Sequence, residues 1–304
     1  MSKNWNQVYE DIADEGRKRK NPHDIVRNRY LDELTKKTGR NAICYYSGWL
    51  EKNAPQFSNV VSITDEDKNG FMACFHGLDT KMGLDLFLHS PGGSVAATES
   101  IIHYLRSKFG RDIRVFVPQL SMSGGTMIAF CGKEIWMGRH SNLGPIDPQF
   151  GPQPATLVLQ EIETALAEIK DDPDRIHIWR PIFEQIPPTY LSACKNAIRW
   201  SKEIGRKALF DGMFSEEENS EELVSKIVDY FADADHQMHH SRHIHREDCE
   251  NVGLKIMHFE NDQIMQDLIL PIHHSLMFAL MNTAAAKIIC NQNGILHQIN
   301  VGIE

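Results

Sequence analysis

The sequence predicts an α/β fold with a largely parallel sheet and a helical C-terminal extension. Residues 84–149 alternate between apolar runs at 84–89, 113–118 and 134–138, which predict strands, and amphipathic segments at 96–109 and 126–131, which predict helices. A glycine-rich turn follows each of the first two strands. Strand–helix–strand units of this length are almost always right-handed, so their strands run parallel and the two turns meet at one edge of the sheet.

The chain before this region predicts an arm and a first strand. Residues 1–20 are polar and predict no regular structure, whereas Asn21-Pro22-His23-Asp24 predicts a helix start with Asp24 as N-cap, and Gly39 ends that helix. Residues 41–49 are rich in aromatic and branched side chains and predict a strand. The charged segment 63–70 predicts a helix start or a surface turn.

The chain after this region predicts mostly helix. Residues 144–154 hold four prolines and predict a turn-rich passage. Apolar residues at helical spacing predict one helix over 158–169 and another that starts at Thr189, while the glutamates of 215–222 predict a solvated surface. Residues 262–290 predict one or two amphipathic helices divided at Pro271. We therefore expect an N-terminal helical arm (1–40), a core that contains both glycine-rich turns and carries a helical arm (41–214), and a C-terminal extension packed on the core (215–304).

Composition restricts the classes of function. The chain has 304 residues, 41% of them hydrophobic, and a net charge of -9, which supports a proper core and argues against a nucleic-acid binder. Six scattered cysteines without a Cys-x-x-Cys pair indicate reduced thiols in a cytoplasmic protein. No signal peptide or membrane span is expected, because the longest apolar stretches are short and interrupted.

No cofactor or metal is expected either. The histidine-rich segment 236–250 also contains Cys249, but the spacing of its histidines matches no tight zinc template. The sequence contains no phosphate-binding Gly-x-x-x-x-Gly-Lys-Ser/Thr loop, so any step that needs a protein target to be unfolded would require a separate partner or a loosely folded target.

The two glycine-rich turns carry the strongest functional signal. Ser90-Pro91-Gly92-Gly93 ends the strand at 84–89, and Ser123-Gly124-Gly125 stands where the chain turns into a short helix. Two such corners can direct backbone N–H groups at one oxygen atom, and a serine between them would be a nucleophile facing its own oxyanion hole. The alternatives are that Ser123 is a small residue needed for tight helix–sheet packing, or that Ser121 is the reactive serine.

With both corners in view, the chain resembles the ClpP/crotonase superfamily, which includes Clp-type peptidases and signal-peptide peptidase A. The closer resemblance is to the serine dehydrogenase proteinase family. The superfamily resemblance rests on Ser90-Pro91-Gly92-Gly93, the helix after it and Met122-Ser123-Gly124-Gly125-Thr126. The phrases shared with the closer family are Tyr45-Tyr46-Ser47, Leu143-Gly-Pro-Ile-Asp-Pro-Gln149, Cys194-Lys195-Asn196-Ala197 and Gly253-Leu-Lys-Ile256. The resemblance implies a ClpP/crotonase-like core, with Ser123 as nucleophile and the N–H groups of Gly93 and Gly124 as oxyanion hole.

The general base is not given by this resemblance. A Clp-type peptidase has a histidine a short distance after its serine. In this sequence the corresponding region is Pro145-Ile-Asp147-Pro148, which contains no histidine. Signal-peptide peptidase A uses a downstream lysine, for which Lys170 and Lys195 are candidates, although each can equally be a surface lysine. Asp147 is a candidate for orienting a base or binding substrate, or it is simply a turn-capping aspartate.

The sequence thus predicts a cytoplasmic serine peptidase that cleaves peptides or unfolded segments through an acyl-enzyme. Relatives form rings or trimer-based assemblies, so we expect a homo-oligomer, with the helices at 157–169 and 262–290 as candidate contacts between subunits. Two rivals use the same fold: a crotonase-type enzyme that stabilises the enolate of an acyl-CoA, and an oligomeric scaffold without catalysis.

Overall fold

A computed structural model describes residues 3–150, 153–233 and 240–302, and its core is a seven-stranded, mostly parallel sheet. The strands of this sheet are β1 (Asn41–Ser47), β2 (Leu84–His89), β3 (Ile113–Val117), β5 (Glu134–Met137), β10 (Ile256–His258), β11 (Ala285–Asn291) and β12 (Leu296–Asn300). Shorter strands are β4 (Leu120–Ser121), β6 (Asn142–Leu143), β7 (Gln149–Phe150), β8 (Gln153–Pro154) and β9 (Ile244–His245). The predicted α/β class is confirmed.

Helices cover both faces of the sheet. Those of the first half are α1 (Trp5–Gly16), α2 (Pro22–Thr38), α3 (Ser58–Val61), α4 (Asp67–Phe75), α5 (Val95–Phe109) and α6 (Gly124–Ala129). Those of the second half are α7 (Ala155–Asp171), α8 (Ile176–Phe183), α9 (Tyr190–Asp211), α10 (Glu221–Ala232), α11 (Arg246–Val252) and α12 (Gln263–Asn282).

The strand order is β10-β5-β3-β2-β1-β11-β12. The five strands from β10 to β1 pair in parallel, and β11 and β12 add an antiparallel edge next to β1. The carboxyl ends of β2 and β3 are therefore neighbours, which is the arrangement that the glycine-rich turns require.

Alternation along the strands divides the core into two layers. In β2, Leu84, Leu86 and Leu88 pack into the layer that contains α4, α5, α6, α9 and α10. Phe87 faces the other way, into the layer formed with α1, α2 and α12. Successive side chains of a strand point to opposite faces, so a strand that is buried on both faces reads as a continuous apolar run.

The N-terminal arm differs from the prediction in two ways. Residues 5–16 form a helix. Asn4 and Gln7 make a capping box at its start, and Val8 and Ile12 form the buried face of the helix. The second helix has Asn21 as its N-cap, in a left-handed conformation, and Asp24 lies inside the first turn.

The C-terminal segment also differs from the helical extension expected. Helix α12 runs through Pro271 without dividing, and the chain then forms β11 and β12, which complete the central sheet. Every residue of β11 is buried. A short apolar run of this kind has no alternation, so its periodicity cannot distinguish a buried strand from a helix.

Helix α12 is long and apolar enough to cross a membrane by length and composition, but 61% of its most apolar window is buried within the fold. It packs against α2 and the sheet, so its apolar face is covered largely by the chain itself.

Candidate active site

The two glycine-rich corners are hydrogen-bonded to each other beyond the ends of β2 and β3. The Ser90 N–H donates to the Leu120 carbonyl at 3.2 Å, and the Met122 N–H donates to the Ser90 carbonyl at 2.9 Å. These two bonds pair Ser90, just after the end of β2, in parallel with β4, so the position of one corner fixes that of the other.

Ser123 holds a backbone conformation that is unusual for a residue with a side chain. Its φ is 51° and its ψ is -116°, and α6 starts at the next residue. A non-glycine residue in such a region costs about 1–3 kcal/mol, and conformations of this kind are concentrated at functional sites. The sharp turn places the side chain at the surface of a cavity while the helix that follows is buried.

Glycine is required on the opposite corner because other backbone comes too close. Gly92 has φ of 93°, and a methyl group there would lie 2.6 Å from the Ser123 Cβ and 2.9 Å from the Gly124 nitrogen. Gly93 has φ of 155°, and a methyl group there would lie 2.3 Å from the Ile63 nitrogen. No side chain fits at either position without displacing the corner.

The N–H groups of Gly93 and Gly124 are candidates for an oxyanion hole. The Gly93 nitrogen lies 3.5 Å from the point that a methyl group on Gly124 would occupy, so the two amides are neighbours. Among the residues that the structure describes, neither N–H donates to a backbone or side-chain acceptor. Paired amides left free in this way can stabilise a developing oxyanion.

Ser123 opens into a cavity of about 420 Å³. The cavity is bounded on one side by the corner itself, from Ser62 and Pro91 to Val95. Its other walls come from α6, the 146–150 loop and α9, through Met127, Ile146, Pro148, Gln149, Phe150, Ala197 and Trp200, together with His240. Most of these side chains are apolar, so the walls suit an apolar side chain of a ligand.

His240 and Asp147 form a hydrogen-bonded pair at this cavity. The His240 Nδ1 lies 2.8 Å from the Asp147 Oδ1, and the Gln149 Nε2 donates to the Asp147 Oδ2 at 2.8 Å. The Asp147 side chain is 4% exposed and that of His240 is 25% exposed. A carboxylate that holds Nδ1 leaves the Nε2 of the same imidazole available to a nucleophile.

The loop that carries Asp147 is fixed to the helix after Ser123. The Gly144 N–H donates to the Thr126 Oγ1 at 3.0 Å, and the Ser201 hydroxyl donates to the Ile146 carbonyl at 2.5 Å. The Ile146 N–H in turn donates to the Phe231 carbonyl at 2.9 Å. Asp147 is thereby held at the cavity by bonds from three separate helices or their ends.

The structure brings only some of the predicted site residues together. Ser123, Gly93 and Gly124 share one corner, and Asp147 reaches the same cavity through His240. Lys170 and Lys195 are exposed on α7 and α9, and neither is among the described residues that line the cavity. Ser121 is fully buried beneath Gly125, away from the cavity.

Sequence reasoning missed His240, although its signal was present. The residue belongs to the histidine-rich segment 236–250, whose spacing matches no tight zinc template, and 93 residues separate it from Asp147. Parts of that segment, residues 236–239, lie outside the described residues. Within the described ranges, no three His, Cys, Asp or Glu side chains come together as a metal site.

Comparison with known proteins gives a family and two relatives. The sequence model of the family described as "ClpP-like SDH-type serine proteinase" matches residues 52–207, slightly more than half of the chain. Two uncharacterized proteins of Methanocaldococcus jannaschii are 36% and 33% identical to this chain, each over 110 residues. The aligned part is 36% of this chain and 38% or 37% of the relative, so the chain matches well under half the length of these curated relatives.

Proposed function

The chain belongs to the family of ClpP-like SDH-type serine proteinases, and we propose that it is a serine peptidase that cleaves peptides or unfolded protein segments through Ser123. In this proposal, His240 is the general base and Asp147 orients it. The N–H groups of Gly93 and Gly124 form the oxyanion hole.

The observation that carries the proposal is the 2.8 Å contact between the His240 Nδ1 and the Asp147 Oδ1 beside the cavity that Ser123 lines. A serine hydroxyl is a weak nucleophile until a neighbouring base removes its proton. An imidazole whose Nδ1 is held by a buried carboxylate is suited to this role. Lys170 and Lys195 are not, because a lysine acts as a base only when burial lowers its pKa, and both are exposed to solvent.

The chemistry follows from these assignments. The Ser123 Oγ attacks the scissile carbonyl carbon while the His240 Nε2 takes the hydroxyl proton, and the negative charge on the carbonyl oxygen is received by the N–H groups of Gly93 and Gly124. Collapse of the tetrahedral intermediate breaks the C–N bond, and His240 returns the proton to the leaving amine. Water then attacks the acyl-enzyme by the same route and regenerates Ser123.

We also propose that the enzyme acts in the cytoplasm as a homo-oligomer. Its six cysteines are buried free thiols, which suits a reducing compartment. Helices α7 and α8 expose the apolar side chains of Leu157, Leu166, Ile178 and Ile182, and exposed apolar surface of this kind favours association.

The test is reaction with a fluorophosphonate probe, together with hydrolysis of casein and of short fluorogenic peptides. Wild-type protein should incorporate one probe per chain and release peptides, and Ser123→Ala should do neither. Active protein that is not labelled, or labelling that persists in Ser123→Ala, contradicts the assignment. Conversion of an acyl-CoA by unlabelled protein would favour the crotonase-type rival.

A further inference from the structure

The described part of the chain contains one buried lysine, Lys287 in β11, whose side chain is 1% exposed. Its Nζ donates to the Asp67 Oδ1 at 2.7 Å and to the Ser62 carbonyl at 2.6 Å. Burial lowers the pKa of Lys287, and the adjacent Asp67 carboxylate opposes that effect. The ammonium therefore joins the C-terminal edge of the sheet to the loop that precedes α4.

Asp67 is the centre of this network. Its side chain is fully buried, and its Oδ2 accepts from the Tyr45 hydroxyl at 2.8 Å and from the Thr64 N–H at 2.9 Å. With Lys287 on Oδ1, both carboxylate oxygens are used. The network thus holds the loop at two points, the Ser62 carbonyl and the Thr64 N–H, which lie on either side of Ile63.

Ile63 is the residue that brackets the Gly92-Gly93 corner. Its N–H donates to the Gly92 carbonyl at 2.7 Å, and its carbonyl accepts from the Ser94 N–H at 2.9 Å. These two bonds fix the orientation of the peptide units on both sides of Gly93. The direction of the Gly93 N–H is therefore set by Ile63, and the position of Ile63 is set by Asp67 and Lys287.

We propose that Lys287 and Asp67 are positioning residues for the oxyanion hole, acting on the Gly93 N–H through the backbone of Ile63. This inference rests on the proposed function, since it assigns the Gly93 amide a part in the transition state. A buried ion pair is a poor source of net stability, because the cost of desolvating two charges offsets their attraction. What this pair supplies is one fixed geometry for a loop that has no regular structure of its own between α3 and α4.

Loss of the Lys287–Asp67 pair is expected to lower kcat and to leave KM almost unchanged. The Gly93 N–H bonds most strongly to the oxyanion of the transition state, so its displacement leaves binding of the ground-state peptide almost unchanged. Complete loss of one such donor costs about two to three orders of magnitude in kcat. A displaced donor should cost less, on the order of tenfold to a hundredfold.

The experiment compares kcat and KM for a fluorogenic peptide in Lys287→Met and in the double variant Lys287→Met with Asp67→Asn. The single variant leaves a buried carboxylate without its cation and is expected to lose stability. The double variant removes both charges and keeps an amide oxygen for the Thr64 N–H. Thermal unfolding shows which variants are folded.

The control is Arg114→Met, which removes a cation from another ion pair whose carboxylate, that of Asp85, is fully buried, although the Arg114 side chain itself is 17% exposed. Arg114 donates to Asp85 near the amino end of β2, far along the strand from Gly92-Gly93, and Asp85 keeps its bond to Arg40. A general loss of rigidity would lower kcat in this variant too, whereas the positioning role predicts kcat and KM within twofold of wild type.

The inference is supported if a folded Lys287 variant loses tenfold to a hundredfold in kcat with KM within twofold, and the control does not. It is overturned if a folded variant keeps kcat within twofold of wild type, if Arg114→Met loses as much, or if both Lys287 variants unfold, which would make the network structural. A wild-type protein that neither hydrolyses peptides nor reacts with the fluorophosphonate would instead overturn the proposed function.

Discussion

Two substitutions of Ser123 distinguish the role of its side chain in catalysis from the cost of its backbone conformation in stability. Glycine adopts φ of 51° without the penalty that serine or alanine incurs. We expect Ser123→Gly and Ser123→Ala to be equally inactive, and Ser123→Gly to have a free energy of unfolding about 1 kcal/mol higher than Ser123→Ala. Urea denaturation of the two variants measures this difference, and a less stable glycine variant would mean that the conformation is not strained.

Asp147 and Gln149 provide a test of orientation at the base. An asparagine at 147 can present an amide N–H to the His240 Nδ1 and stabilise the wrong tautomer, so Asp147→Asn should lower kcat by about three to four orders of magnitude. Gln149→Leu removes one bond to Asp147 but leaves the His240 contact, and it should cost about tenfold or less. Steady-state peptide hydrolysis measures kcat of both variants. An equal loss of kcat in Asp147→Asn and Gln149→Leu would contradict the orienting role of Asp147.

At the scale of elements, the turn from β2 into α5 depends on the absence of a side chain at Gly93. A methyl group there would meet the Ile63 backbone, so Gly93→Ala should lower kcat by at least about a hundredfold. Gly110 also has a positive φ, of 57°, but no atom lies within 4 Å of the corresponding methyl position. Gly110→Ala should therefore cost about 1 kcal/mol in stability and leave kcat unchanged. Similar kcat values in the two variants would contradict the close-approach argument.

The elements around the corners could be predicted because local chemistry determines them. The strand at 84–89 ends in Ser90-Pro91-Gly92-Gly93, and the apolar periodicity of α5 and α7 is regular, so each signal lies within a few residues of the structure it predicts. The proximity of the two glycine-rich corners followed from the same information, because each corner is a local signal at the end of one of two adjacent parallel strands.

The remaining features depend on contacts between distant parts of the chain. His240 meets Asp147 across 93 residues, and Lys287 meets Asp67 across 220, so no spacing rule connects them. The pattern of residues 285–290 predicts helix where the structure has strand β11, because burial on both faces removes the alternation typical of a strand. A lysine in the middle of that apolar run was the one local sign of a buried partner.

At the scale of the whole molecule, the C-terminal segment is part of the core rather than a cover on it. Strand β11 pairs with β1, and α12 buries its inner face against α2 and the sheet. Among the side chains enclosed here are His89, at the end of β2, and His273 on α12, whose rings lie 6.0 Å apart. Burial holds the pKa of His89 at about 3 and that of His274 at about 4, and it lowers the pKa of His273 as well.

These histidines make the fold sensitive to acid. The unfolded chain takes up protons at the ordinary histidine pKa of about 6.5, while folded His89 stays neutral until about pH 3, so stability falls as the pH drops from about 6.5 towards 3. At pH 5 the loss from one such histidine is about 2 kcal/mol relative to pH 7. His89→Phe keeps a ring against Trp49 and should reduce the loss between pH 7 and 5 by about that amount. Urea unfolding at both pH values tests this, and an equal loss in wild type and variant would refute it.

The central claim, that His240 and not a lysine activates Ser123, is tested most directly by the second-order rate of fluorophosphonate labelling in three variants. We expect His240→Gln to be labelled about a thousandfold or more slowly than wild type, and Lys170→Gln and Lys195→Gln to be labelled within twofold of it. Labelling of His240→Gln at the wild-type rate, or its loss in either lysine variant, would contradict the account.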